Sequence, residues 1–325
     1  MTDLLAAGLT YRGQDLEPAD DALGELRRSD DIALDGPALQ ARMAEDGYLF
    51  LPGLLHREEV MAAHEEVLRR LAADGVVDAT DHPLMDGIVR PDRTTAFAPN
   101  LAKDNAPLMK VLYDGQGPMM AFYERFLGGP VRHFDYTWFR AKTPGLESAT
   151  TPHFDVVFMG RGTKNLWTSW TPLGDVPLDH GGLIVLEGSH RLTDLRNTYG
   201  ETDVDKYCEN EGDAANIVAA AREEGRELTA DERRGIRWNS TGQYSNDAID
   251  TRRELGGRWL TAEYHAGDLL VLSMFLMHAS SDNRSDRIRL SSDSRYQLAA
   301  EPVDERWIGD DPALHGIRAK RGMIC

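Results

Sequence analysis

From residue 131 onward the chain breaks into short runs rich in β-branched and aromatic residues, divided by Gly, Pro and Asp. This rhythm constrains the fold more than any other feature. It predicts strands at 131–141, 152–159, 165–173, 183–186, 261–265, 269–275 and 287–298. Ahead of them the spacing is helical. Pro37 suits a first helical position, Leu39 and Met43 follow on one face, and Gly47 is a stop before a strand at 48–51. Val60, Val67, Leu68 and Leu71 mark a one-sided helix over 58–73, and shorter helices fit 107–113 and 118–127. Helices in front of a series of strands predict a mainly β fold with flanking helices: a double-stranded β-helix (jelly roll, cupin-like) core braced by N-terminal helices.

One compact body is expected from 325 residues of ordinary globular composition without repeats. Residues 1–34 read as an acidic N-terminal arm of uncertain order, and 35–325 as a single double-stranded β-helix domain. A polar, partly helical insert at about 191–259 interrupts the strand rhythm, with helix favoured at 214–224 and a capping box at Thr229 and Glu232. It falls between the two halves of the motif described next, where a lid belongs.

The formal net charge of −18 opposes nucleic acid and anionic membranes as partners, because both demand a basic surface. The longest nearly apolar run, 269–277, is far short of the roughly 20 residues that span a bilayer. Residues 1–21 lack the basic start and apolar stretch of a secretion signal. Two cysteines, Cys208 and Cys325, give no disulfide framework, so a reducing cytoplasm is the expected compartment.

The chemistry-bearing residues are His153, Asp155 and His278. Two imidazoles and one carboxylate cap a single face of an iron ion and leave the other face free, whereas a closed four-ligand site is structural. In a strand, i and i+2 point to the same side, so His153 and Asp155 present a nitrogen and an oxygen together. His133-Phe134-Asp135 repeats the pattern. The later pair is preferred because Trp170-Thr171-Pro172-Leu173, Gly181-Gly182-Leu183 and Gly188-Ser189-His190 follow it at hairpin separations.

Those segments, with His278-x-Ser280-x-x-Asn283-x-Ser285-x-x-x-Arg289, Arg295-Tyr296-Gln297 and the opening Asp46-Gly47-Tyr48-Leu49-Phe50-Leu51-Pro52-Gly53, resemble the phytanoyl-CoA dioxygenase family of Fe(II)/2-oxoglutarate oxygenases. The resemblance covers most of the chain. It implies Fe(II) held by His153, Asp155 and His278, with 2-oxoglutarate as cosubstrate and Arg289 on its distal carboxylate. By the same resemblance, Ser280 is expected to donate to that carboxylate and Trp170 to border the cosubstrate. It also implies that O2 and 2-oxoglutarate become succinate and CO2 as a C–H bond of a small organic metabolite is oxidised, most simply hydroxylated. Asp155 argues against halogenation, since related halogenases carry a small residue there.

A guanidinium suits a buried carboxylate because it forms two parallel charge-assisted hydrogen bonds. Arg284 and Arg287 compete with Arg289 on chemistry, and the spacing from His278 selects Arg289. A fourth ligand at His190 is rejected, as it would take a position that 2-oxoglutarate or O2 needs. His64, His180 and His265 read as structural or surface groups, while Arg93, Tyr136, Trp138 and Arg140 are candidates for the substrate cavity. The competing reading is a zinc-dependent hydrolase or cupin-type isomerase with the same three ligands and water in the open position. A non-catalytic barrel is the third. Only an oxygenase of this kind needs a cation for a dicarboxylate.

Overall fold

The computed structural model describes the chain except residues 1–3, 5, 147, 148 and 237–240. A hairpin of β1 (Thr10–Tyr11) and β2 (Gln14–Asp15) precedes β3 (Leu23–Glu25). Helix α1 (Gly36–Asp46) leads into β4 (Tyr48–Leu51), and α2 (Arg57–Ala73), α3 (Ala106–Tyr113) and α4 (Pro118–Leu127) follow. Local chemistry sets these ends. The Asp35 side chain accepts from the Ala38 amide at the start of α1, and Gly47 ends it at φ 78°. A Cβ at Gly47 would collide with the His190 ring, so this position demands glycine twice over.

After α4 come β5 (Val131–His133), β6 (Trp138–Lys142), the one-turn α5 (Val156–Met159), β7 (Trp167–Pro172) and β8 (Leu183–Leu186). The insert carries α6 (Thr193–Asn197), β9 (Lys206–Cys208), α7 (Gly212–Glu223), α8 (Ala230–Gly235) and α9 (Ala248–Leu255). β10 (Trp259–Thr261), β11 (Leu269–Ser273), β12 (His278–Ser280), β13 (Arg289–Leu298) and β14 (Arg321–Met323) complete the chain. The larger sheet runs β4-β11-β7-β13-β5 with β6 also on β13, all antiparallel. The smaller runs β12-β8-β10-β3, with only the last pair parallel.

Strand alternation divides the core. Leu269 and Val271 face α1–α4, while Leu270 and Leu272 face the other sheet beside Trp170, Leu183 and Val185. Each such buried side chain contributes about 1.5–3 kcal/mol of transfer free energy. β13 behaves differently. Leu290 and Tyr296 pack toward the helices, but the inward stripe is Arg289, Ser291, Asp293 and Arg295. Polar groups between two sheets require partners, and those partners form the site.

Three expectations need correction. The N-terminal arm of uncertain order is packed where it is described: Leu9, Tyr11, Leu16 and Leu23 are buried, and β3 extends the smaller sheet. The short alternation at 9–26 hid this, since parallel pairing to β10 is a contact remote in sequence. Residues 152–159 are not a strand, because Asp155 has helical dihedrals (φ −63°, ψ −30°) and starts α5. Cys208 and Cys325 are joined by a disulfide alongside the parallel β9–β14 pair. Cysteine usage therefore no longer argues for a reducing compartment. Among the described residues no helix is long and apolar enough to cross a membrane.

Candidate metal centre

His153, Asp155 and His278 converge, each buried, with ligand atoms within 4.8 Å of one another. The two histidines reach the same point through backbone pairing: His153 N donates to His278 O at 3.1 Å, and His278 N returns to His153 O at 3.2 Å. That bridge ties the loop before α5 to β12, so their rings stand 4.2 Å apart. Asp155 arrives from the first residue of the α5 turn rather than from a strand. Its Oδ1 lies 3.8 Å from His153 Nε2 and 3.9 Å from His278 Nε2.

The ring tautomers follow from the neighbours. His153 Nδ1 meets the Thr151 carbonyl at 2.7 Å, and His278 Nδ1 meets the Leu276 carbonyl at 3.0 Å. A carbonyl only accepts, so each Nδ1 donates, and in a neutral ring this leaves the Nε2 lone pair toward the centre. Burial, reinforced by the facing His278, pushes His153 down to about 3 and keeps it neutral. Burial alone would raise the Asp155 carboxyl, but Arg295, His278, His153 and the Thr168 hydroxyl outweigh it and hold the group well below its usual range. Arg295 Nη2 donates to Asp155 Oδ1 at 3.2 Å and Thr168 Oγ1 donates to Oδ2. Two imidazole nitrogens and one ionised carboxylate at this spacing fit Fe(II) or a similar divalent ion.

Arg289 lies 1% exposed on the same inward stripe. Its Nε donates to Gly181 O at 3.2 Å and Nη1 to Ser291 Oγ, and its guanidinium lies 5.8 Å from the Trp170 ring. Burial first, and Arg140 second, lower it to about 9, so it stays charged near neutral pH. Arg284 and Arg287 point elsewhere, to Ala7 O and to Asp86. Ser280 Oγ accepts from Thr150 N at 2.8 Å and from Lys142 Nζ, which leaves its own proton free to donate.

Lys142, Thr168 and Arg295 join the constellation without having been anticipated. Lys142 is buried, its charge disfavoured by burial and by Arg289 and Arg140. A signal existed: Trp138, Arg140 and Lys142 alternate on β6, and Arg289, Asp293 and Arg295 on β13. Charged residues on the parity that should face a core mark a polar interior.

Most of the other candidates stay apart. His133 stacks on Tyr113 at 4.2 Å with Nδ1 on its own Phe134 carbonyl, and Asp135 accepts from Gly309 N. His64, His180 and His190 meet the carbonyls of Leu173, Arg287 and Ala44, and His265 is exposed beside Asp268. Arg93 lies by Gly75, Tyr136 and Trp138 pack edge to face, and Arg140 lines the site.

Described residues of the insert pack against the segment that carries His153 and Asp155. Tyr199 Oη accepts from Phe154 N, Tyr244 N donates to Pro152 O and Val204 N donates to Val157 O. The enclosed cavity measures about 20 Å³, room for little more than one water.

The family model described as phytanoyl-CoA dioxygenase matches residues 43–291. The chain is 28% identical over 279 residues to "1-deoxypentalenic acid 11-beta-hydroxylase" of Streptomyces exfoliatus, covering 82% of each. Among solved structures, it resembles the epimerase SnoN in complex with Fe3+, alpha ketoglutarate and nogalamycin RO (TM-score 0.51, 20% identity, 88% of this chain and 90% of that one). It also resembles EctD from S. alaskensis (TM-score 0.53, 15% identity, 97% and 98%). At these identities the structures speak for the fold.

Proposed function

Because the chain belongs to the phytanoyl-CoA dioxygenase family and is thereby a non-heme Fe(II)/2-oxoglutarate-dependent oxygenase, we propose that it hydroxylates an unactivated C–H bond of a small organic metabolite. The two sheets are read as the halves of a double-stranded β-helix, with the insert as a lid. The observation that carries the proposal is the shared interior of His153, Asp155, His278 and the buried Arg289. A zinc hydrolase would use the same three ligands but has no use for Arg289 and Lys142 beyond them. Hydroxylation is preferred over other outcomes of the same chemistry because the curated relative is named as a hydroxylase.

His153, Asp155 and His278 would hold the iron. When bound, it supplies the oxidising power, coupling O2 and the conversion of 2-oxoglutarate to succinate and CO2 to insertion of oxygen into a C–H bond. The chain's own work is placement. The Thr151 and Leu276 carbonyls aim the imidazoles, and Arg295 and Thr168 fix the carboxylate. Arg289 offers the distal 2-oxoglutarate carboxylate a fixed guanidinium against Trp170, and Ser280 offers its free proton there. Tyr199, Val204 and Tyr244 hold the insert over the ligand loop and exclude water.

The test is succinate formation with Fe(II), ascorbate, 2-oxoglutarate and a metabolite extract, followed by mass spectrometry for a product heavier by one oxygen atom. Succinate that rises with substrate and vanishes in Asp155→Ala supports the reading. Turnover sustained by Zn(II) alone, without 2-oxoglutarate, rejects it.

A further inference from the structure

The described residues of the site carry more positive charge than iron chemistry consumes. Arg140, Arg289 and Arg295 line the cavity with only Asp155 and Asp293 as carboxylates, while Lys142, buried behind Ser280, has Asp293 and Asp282 near it. The two charges of Fe(II) cancel the two of 2-oxoglutarate, so the loaded site keeps an excess of one. This excess sits inside a chain of net charge −18, so it is local and does not come from a generally basic protein. A buried, uncompensated cation is costly, and an anionic guest relieves it.

Arg140 is the cation placed to receive that guest. The side chains of Arg289 and Arg295 are almost wholly buried and already engaged, whereas that of Arg140 is 25% exposed. Its Nε donates to Asp293 at 3.3 Å, and among the described residues neither Nη makes a hydrogen bond. The free edge of the guanidinium is the one that pairs with a carboxylate. Apolar surface lies next to it: its Cζ is 5.6 Å from the ring of Phe97, a large aromatic left 49% exposed, and Trp138 is two residues back on the same strand face.

Resting on the oxygenase reading above, we propose that the substrate is a carboxylic acid with an apolar body, and that Arg140 is the specificity-determining residue that binds its carboxylate. A coenzyme A thioester, with several phosphate charges, would need a larger basic surface than this excess provides.

The experiment uses the Fe(II)-loaded protein under anaerobic conditions, with the visible absorption band formed on adding 2-oxoglutarate as the reporter. Decanoate and cyclohexylacetate are titrated beside their methyl esters, first into wild type, then into Arg140→Gln and Arg140→Lys. The acids are expected to perturb the band at concentrations at least about tenfold below their esters. That preference should disappear in Arg140→Gln and partly return in Arg140→Lys, which keeps the charge but loses the fork. Equal response to acids and esters, or full preference retained in Arg140→Gln, overturns the inference while leaving the oxygenase reading intact. Failure of the band to form in wild type strikes at the oxygenase reading itself.

Discussion

Replacing Arg295 by methionine separates the role of this guanidinium in the metal-free protein from its role beside a metal. Arg295 and Asp155 are both almost fully buried, with Nη2 and Oδ1 3.2 Å apart. Opposite charges at that distance attract by about 5 kcal/mol at an effective dielectric constant of about 20. Part of this is offset. Thr168 and the histidines still support the carboxylate, and Arg295 carries a buried Nη1 without a partner whose cost disappears with it. Its stacking over Trp138 at 4.2 Å is lost as well. The net loss is about 3 kcal/mol, the lower end for breaking a buried pair. In urea this lowers the unfolding midpoint of metal-free Arg295→Met by roughly 1 M at a slope of about 3 kcal/mol/M. A divalent metal then replaces the missing positive charge, so saturating Mn(II) should stabilise the variant more than wild type. An unchanged midpoint without metal, or a smaller metal effect in the variant, would refute the reasoning.

Arg289→Ala and Lys142→Met should each weaken 2-oxoglutarate binding at least about tenfold while iron binding persists, as read by calorimetric titration of the two ligands separately. The disulfide closes a loop spanning 117 positions, so Cys208→Ser should cost about 2–4 kcal/mol, visible as a lower thermal midpoint and matched by wild type under reducing conditions. Asp205 is fully buried among Arg306, Lys320 and His315 at 2.5, 2.6 and 2.9 Å. Although burial itself would raise it, these partners hold its carboxyl below the ordinary range. A depressed folded-state pKa stabilises above the unfolded value of about 4 and is lost as pH falls toward the folded value. Asp205→Asn should therefore be destabilised at neutral pH and show a shallower loss of stability below about pH 4, followed by urea unfolding across pH.

Where local chemistry fixes an element, the sequence revealed it. Pro118 and Gly128 bracket α4, Thr229 and Glu232 form the expected capping box, and the apolar run of β11 ends within two residues of its expected boundary. Where distant pairing decides, it did not. Nothing near Leu23 announces a parallel partner at Trp259, and nothing near Asp155 announces that the chain turns helical there. That His153, Asp155 and His278 come together was legible because the segments that follow 153–155 at hairpin separations singled it out from the copy at 133–135. Lys142 and Arg295 were missed because their meaning depends on which strand face turns inward, and that is set by register against β13 and β7. The His133–Asp135 copy shows how little a bare His-x-Asp fixes: the same residue types, stacked on Tyr113 and bonded to Gly309, are absorbed by packing.

The most direct measurement is an anaerobic titration of Fe(II) and 2-oxoglutarate into the metal-free chain, repeated in His153→Ala, Asp155→Ala, His278→Ala and His133→Ala. One iron per chain, with 2-oxoglutarate adding to it, is expected in wild type and in His133→Ala, and neither in the other three. Full iron and 2-oxoglutarate binding in any of those three, or its loss in His133→Ala alone, would contradict the account.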